Sequence, residues 1–82
     1  MEREHEFLIL NKSRTPLFHT TLVSLLRSPL VNMHSELFRQ QLLLNISMMD
    51  KGDIVKVNFE KNEYNDALLE SNSHIYIQKT ND

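Results

Sequence analysis

Between Pro29 and Met49 the chain carries apolar residues around more of a helix's circumference than one packed face requires. At about 100° per residue, Leu30, Met33, Leu37, Leu44 and Met48 fall on one stripe, and Val31, Phe38, Leu42, Ile46 and Met49 on a second. His34, Gln41 and Asn45 form a polar row between them. A helix lying on a core needs a single apolar stripe. Two stripes imply two partners, one inside the domain and one outside it.

The remaining composition narrows the setting of that helix. With 82 residues and 40% apolar content the chain makes a single small domain over 1–82, of a size at which self-association or a bound partner adds materially to stability. Cysteine is absent, which excludes a disulfide framework, a thiolate zinc site and a cysteine nucleophile. The start, Met1-Glu2-Arg3-Glu4-His5-Glu6, lacks the basic-then-apolar order of a signal peptide. No apolar run approaches the roughly 18 to 20 residues of a membrane span. A cytoplasmic protein without membrane attachment is the expectation, and the sequons at Asn11 and Asn45 are then chance matches.

Charge is unevenly spread although it sums to only −2. Residues 11–49 carry Lys12, Arg14, Arg27 and Arg39 against Glu36 alone, while residues 50–82 carry seven acids against four lysines. A net negative chain is not built as a general nucleic-acid binder.

Along the chain, Phe7 to Leu10 is a continuous apolar run, short enough for a strand that lies inside a sheet. Asn11 to Arg14 make a polar turn, and Thr15-Pro16 reads as the start of a first helix running to about Arg27, with Leu17, Phe18, Leu22, Leu25 and Leu26 as its stripe. Ser28-Pro29 repeats that signal and opens the second helix after a tight corner. Gly52, the only glycine, marks the switch from helix to strand. Ile54 to Glu60 alternates with Val55, Val57 and Phe59 inward, and His74 to Thr80 alternates with Ile75 and Ile77 inward. Residues 61–73 form a long inter-strand connection, with Asn62 able to cap a helical turn and Tyr64, Leu68 and Leu69 able to tack it down. Residues 1–5 and 80–82 are expected to fray.

The element order β-α-α-β-β predicts an α+β domain in which a three-stranded sheet packs on a two-helix pair. The order resembles that of the small C-terminal domain of Clp-type AAA+ ATPases, the local likenesses being Ser28-Pro29-Leu30 and Lys51-Gly52-Asp53-Ile54-Val55. The glycine-alanine-arginine segment that senses nucleotide in that domain is missing, so the resemblance implies no activity, cofactor or site residue here.

Chemistry-bearing patterns are sparse. The histidines His5, His19, His34 and His74 are isolated, without the close or helical ligand spacing of a zinc site; only His5 and His74, both near strands, could approach one another. No serine stands in a glycine-flanked nucleophile turn, and one glycine makes no phosphate-cradling loop. Neither catalysis, cofactor nor metal is expected. The polar row offers both donors and acceptors, and such a row sets the register of packed helices as single buried polar residues do in coiled coils.

Two functional readings remain. In the first, a non-enzymatic regulatory or accessory protein acts by protein–protein contact as a homodimer, through Val31, His34, Phe38, Gln41, Leu42, Asn45, Ile46 and Met49. In the second, the helix pair and the hairpin of residues 54–80 form a winged helix-turn-helix, with Arg39 and Gln40 reading bases and Lys12, Arg14 and Arg27 on phosphates. The first is favoured, because the wing would be acidic and the corner at Ser28-Pro29 is shorter than the usual three-to-four-residue turn.

Overall fold

The computed structural model describes residues 4–59 and 74–82, so the connection 61–73 lies outside them. The order is β1 (Glu6–Leu10), β2 (Pro16–Thr21), α1 (Leu22–Arg27), α2 (Pro29–Asn32), α3 (Glu36–Ser47), β3 (Ile54–Asn58) and β4 (His74–Lys79). It is a mixed α+β fold with one antiparallel sheet of four strands in the order β2-β1-β4-β3. The apolar run of β1 is an interior strand as expected, and β4 lies beside it with Ile9 opposite Ile77.

The expected three-stranded sheet gains its fourth strand from residues placed in the first helix. Leu17 and Phe18 sit at a spacing from Leu22 that suits a helix, yet Phe18, Thr20 and Thr21 are aromatic or β-branched and favour a pleated surface. They pair with β1, Thr20 opposite Phe7 and Phe18 opposite Ile9. Pro16 is tolerated because it opens an edge strand. Asn11 closes the hairpin: its side-chain Oδ1 accepts from the backbone N–H of Ser13 and of Thr15, both at 2.9 Å. Arg14 takes a left-handed φ of 63° there, and its guanidinium lies 4.6 Å from the Tyr76 ring centroid. This hairpin also departs from the element order on which the Clp-type likeness rested.

The first helical turn begins at Thr21 instead of Thr15, with the Thr21 hydroxyl accepting from the Ser24 N–H at 3.2 Å. Ser28 serves two elements, ending α1 and opening α2. Its Oγ donates to the Leu25 carbonyl at 2.7 Å, and the Asn32 side chain donates to the Arg27 carbonyl at 2.8 Å. The expected continuous helix 29–49 is two helices. Ser35 interrupts it, adopting an extended conformation while its Oγ accepts from the Phe38 N–H at 3.2 Å. A serine followed by Glu36 is a strong start signal, and here it overrides the apolar periodicity on either side.

The sheet presents Phe7, Ile9, Ile75 and Ile77 to the helices, which return Leu25, Leu30, Val31, Leu42, Ile46 and Met49; Phe59 completes the cluster. After α3, the Asp53 N–H donates to the Asp50 carbonyl at 3.0 Å. Gly52 supplies the φ of 92° which that turn demands. Lys79 is buried beneath the end of α3, its Nζ donating to the Met49 carbonyl at 3.1 Å, where a cation is favoured by the helix dipole. Thr80 and Asn81, expected to fray, are fastened. Asn81 Oδ1 accepts from the Glu6 N–H at 2.8 Å, and its Nδ2 donates to the Glu4 carbonyl and to Glu6 Oε2, each at 3.0 Å. Thr80 N–H donates to the Glu6 carbonyl and Leu22 N–H to the His5 carbonyl, both at 3.0 Å, so Glu4 and His5 are held as well.

Candidate interaction surface

The two apolar stripes have opposite fates. Val31, Leu42, Ile46 and Met49 lie in the domain's own core at 5% exposure or less, and Phe38 packs against it. These residues, read from sequence as contacts for an outside partner, face the sheet. On the other stripe only Leu30 is buried. Met33, Leu37, Leu44 and Met48 are 50, 65, 60 and 74% exposed. Taking about 100° per residue, Leu37, Leu44 and Met48 are centred about 140° around α3 from Phe38, Leu42 and Ile46.

The polar row divides. His34 leaves it, because the break before Ser35 turns its ring onto Phe38 at a centroid separation of 4.4 Å and toward Phe59 at 5.4 Å. Its buried Nε2 has no hydrogen-bond partner among the described residues. Gln41 and Asn45 stay exposed. With Phe38 and Leu42 they line a shallow groove of about 140 Å³ whose other bank is Lys56, Val57 and Asn58 of β3. A second open groove of about 260 Å³ lies between Leu26 of α1 and Glu36, Arg39, Gln40 and Leu43 of α3.

From Gln40 to Met49 there are ten consecutive residues without a charge. From Gln40 onward the outward face of α3 is therefore apolar and amide-bearing, its charges Glu36 and Arg39 lying in the first turns of the helix. Which stripe would face outward was not legible from hydrophobicity, by which both look alike. One signal does separate them: the buried stripe carries the aromatic Phe38 and the β-branched Val31 and Ile46, whereas the exposed one consists of leucine and methionine, side chains that re-pack easily against a partner.

The other sequence-based candidates do not assemble. Since Leu10 pairs with Tyr76 and Phe7 with Lys79, His5 and His74 fall at opposite ends of the β1–β4 pair. Among the described residues no group of three or more His, Asp or Glu side chains comes together to hold a metal ion. Residues 54–58 and 74–79, read as a wing, are strands of the main sheet, with β4 in its interior. Among the described residues no helix is long and apolar enough to cross a membrane. Compared with known proteins, the chain matches no family model, no curated protein and no solved structure.

Proposed function

We propose that this is a small non-enzymatic regulatory or accessory protein that acts by protein–protein contact through the outer face of α3. The observation that carries this reading is the exposure of Leu37, Leu44 and Met48 along one line of a helix whose opposite side already closes the core. A contiguous exposed apolar patch on a small domain marks an interaction site. The uncharged Gln40 to Met49 segment favours a partner held by shape and apolar burial at that part of the face.

The test is site-specific photocrosslinking in cells of origin, with the crosslinker placed at Leu44 and, as control, at Lys51 in the exposed turn beyond the helix. Discrete protein adducts at Leu44 and not at Lys51 are expected. Equal or absent labelling at the two positions overturns the contact surface. Titration with duplex DNA at about 150 mM salt, where the screening length is about 8 Å, is expected to show no sequence-selective binding. Submicromolar selective binding that Arg39→Ala abolishes would replace this reading with a DNA-binding regulator.

A further inference from the structure

We infer that the face of the sheet turned away from the helices binds single-stranded nucleic acid, at the end where Arg14, Lys56, His74 and Tyr76 gather. The site is independent of the outer face of α3, since that helix packs on the sheet's other side. Ile75 and Ile77 point into the core, so strand alternation puts His74, Tyr76 and Gln78 on the outer face. The register sets Lys56 directly opposite Tyr76, Asn58 opposite His74, and His19 and Gln78 on either side of Leu8. The Arg14 guanidinium lies over the Tyr76 ring, 4.6 Å from its centroid, and the His74 ring meets the same tyrosine edge-on at 5.7 Å. The hairpin holds Arg14 in place for this: its N–H donates to the Asn11 carbonyl at 2.8 Å.

Charge along this face is polarised. Among the described residues Arg14 and Lys56 form no ion pair. The carboxylates of Glu6 and Asp53 stand at the opposite end of the strands, where Glu6 accepts from the Asn81 side chain and Asp53 from the Asp50 N–H. From Leu10, opposite Tyr76, back to Glu6 the strand spans about 13 Å, beyond the screening length of about 8 Å at physiological salt. The two cations thus attract an anion locally although the chain's net charge is −2. Cations alone would suit any anion. The guanidinium laid over a tyrosine ring adds a flat π surface on which a base stacks, whereas a carboxylate chain engages only the charges. His19, Asn58 and Gln78 supply donors and acceptors for base edges. A duplex keeps its base faces stacked inside, so the platform selects unpaired strand. Two phosphate contacts give weak binding with a log–log salt slope of about −1.4.

The test is fluorescence anisotropy of a fluorescein-labelled oligothymidylate of about 12 nucleotides, titrated with the intact protein at about 50 mM salt. Saturable binding is expected, about tenfold tighter than to a duplex of the same length. Arg14→Asn, which suits the left-handed φ, is expected to weaken it about fivefold or more. Lys56→Gln is expected to make the salt slope shallower by about 0.7, and Arg27→Gln, exposed on the helical side, to change nothing. Stacking has its own readout. The chain has no tryptophan and two tyrosines, so in a Tyr64→Phe protein Tyr76 is the sole emitter, and unlabelled oligothymidylate is expected to quench it. Should Arg14→Asn fail to fold, Arg14→Lys keeps the charge and removes the plane, and is expected to weaken binding without altering the salt slope. No anisotropy change up to about 1 mM protein, which is weaker than non-specific binding ordinarily reaches, overturns the site. So does an equal loss with Arg27→Gln. Polyglutamate that competes as well as oligothymidylate, with Tyr76 emission unmoved by either, replaces nucleic acid with a general anion surface.

Discussion

The inner and outer faces of α3 are made of nearly the same material and do opposite things. Leu42 on the inner face is 3% exposed, and Leu44, two residues on, is 60% exposed. Hydrophobicity does not distinguish them. What distinguishes them is angular position, because two residues apart on a helix they point about 160° from one another, and only Leu42 meets the core cluster. The cap fixes where the helix starts, and packing of Leu42 and Ile46 into the cluster with the sheet residues makes their stripe the core.

The comparison is tested most severely by truncating both leucines. Leu42→Ala removes packing from a closed core and is expected to cost about 2–5 kcal/mol. Leu44→Ala, measured by urea unfolding at a concentration low enough to hold the protein monomeric, is expected to lie within about 0.5 kcal/mol of wild type. Similar losses at both positions would mean that the outer face is covered within the monomer. A smaller effect is expected at the far end of the inner face. Lys79→Ala strips the ammonium from the Met49 carbonyl and the aliphatic stem from the core edge, for an expected cost of about 1–3 kcal/mol by the same unfolding measurement. Ser35→Ala sharpens the comparison at its origin and is expected to cost about 1 kcal/mol. Its informative readout is amide exchange at Phe38, whose N–H loses its acceptor, while the amides near Ile46 keep their protection. Uniform loss of protection along α3 would show that the cap controls the whole helix.

Much of the fold was legible because its signals were local. The Phe7 to Leu10 run marked an interior strand, the alternation through Val55 and Val57 and through Ile75 and Ile77 marked two more, and Gly52 marked the turn between helix and sheet. The failures came where one stretch satisfied two periodicities. Leu17 and Phe18 are spaced from Leu22 and Leu25 as a helix requires, and equally suit a strand; only pairing with β1, a contact distant in sequence, decides the matter. Ser35 went unnoticed because a start signal inside an apolar stretch reads as helix interior. Asn81 looked like a polar tail, and its role depends on Glu4 and Glu6, more than seventy residues earlier. At the candidate surface the spacing of Leu37, Leu44 and Met48 was written in the chain, yet its orientation was marked only by the aromatic and β-branched residues Phe38, Val31 and Ile46 on the other stripe, a signal that hydrophobicity alone does not carry.

The place of β4 in the sheet has a consequence for the order in which the molecule can be made. Among the described residues it is the last of seven elements, and it lies in the sheet's interior, with Phe7 paired to Lys79 across most of the chain's length. While the polypeptide emerges from the ribosome, β1 and β2 can close their local hairpin, but the second edge of β1 stays open, and its Phe7-Leu8-Ile9-Leu10 backbone is bare until β4 arrives. Non-local pairing of this kind slows folding relative to helical proteins of equal size. The nascent chain therefore passes through a sticky, half-built interval, ended only when the final strand slots between two that have been waiting for it.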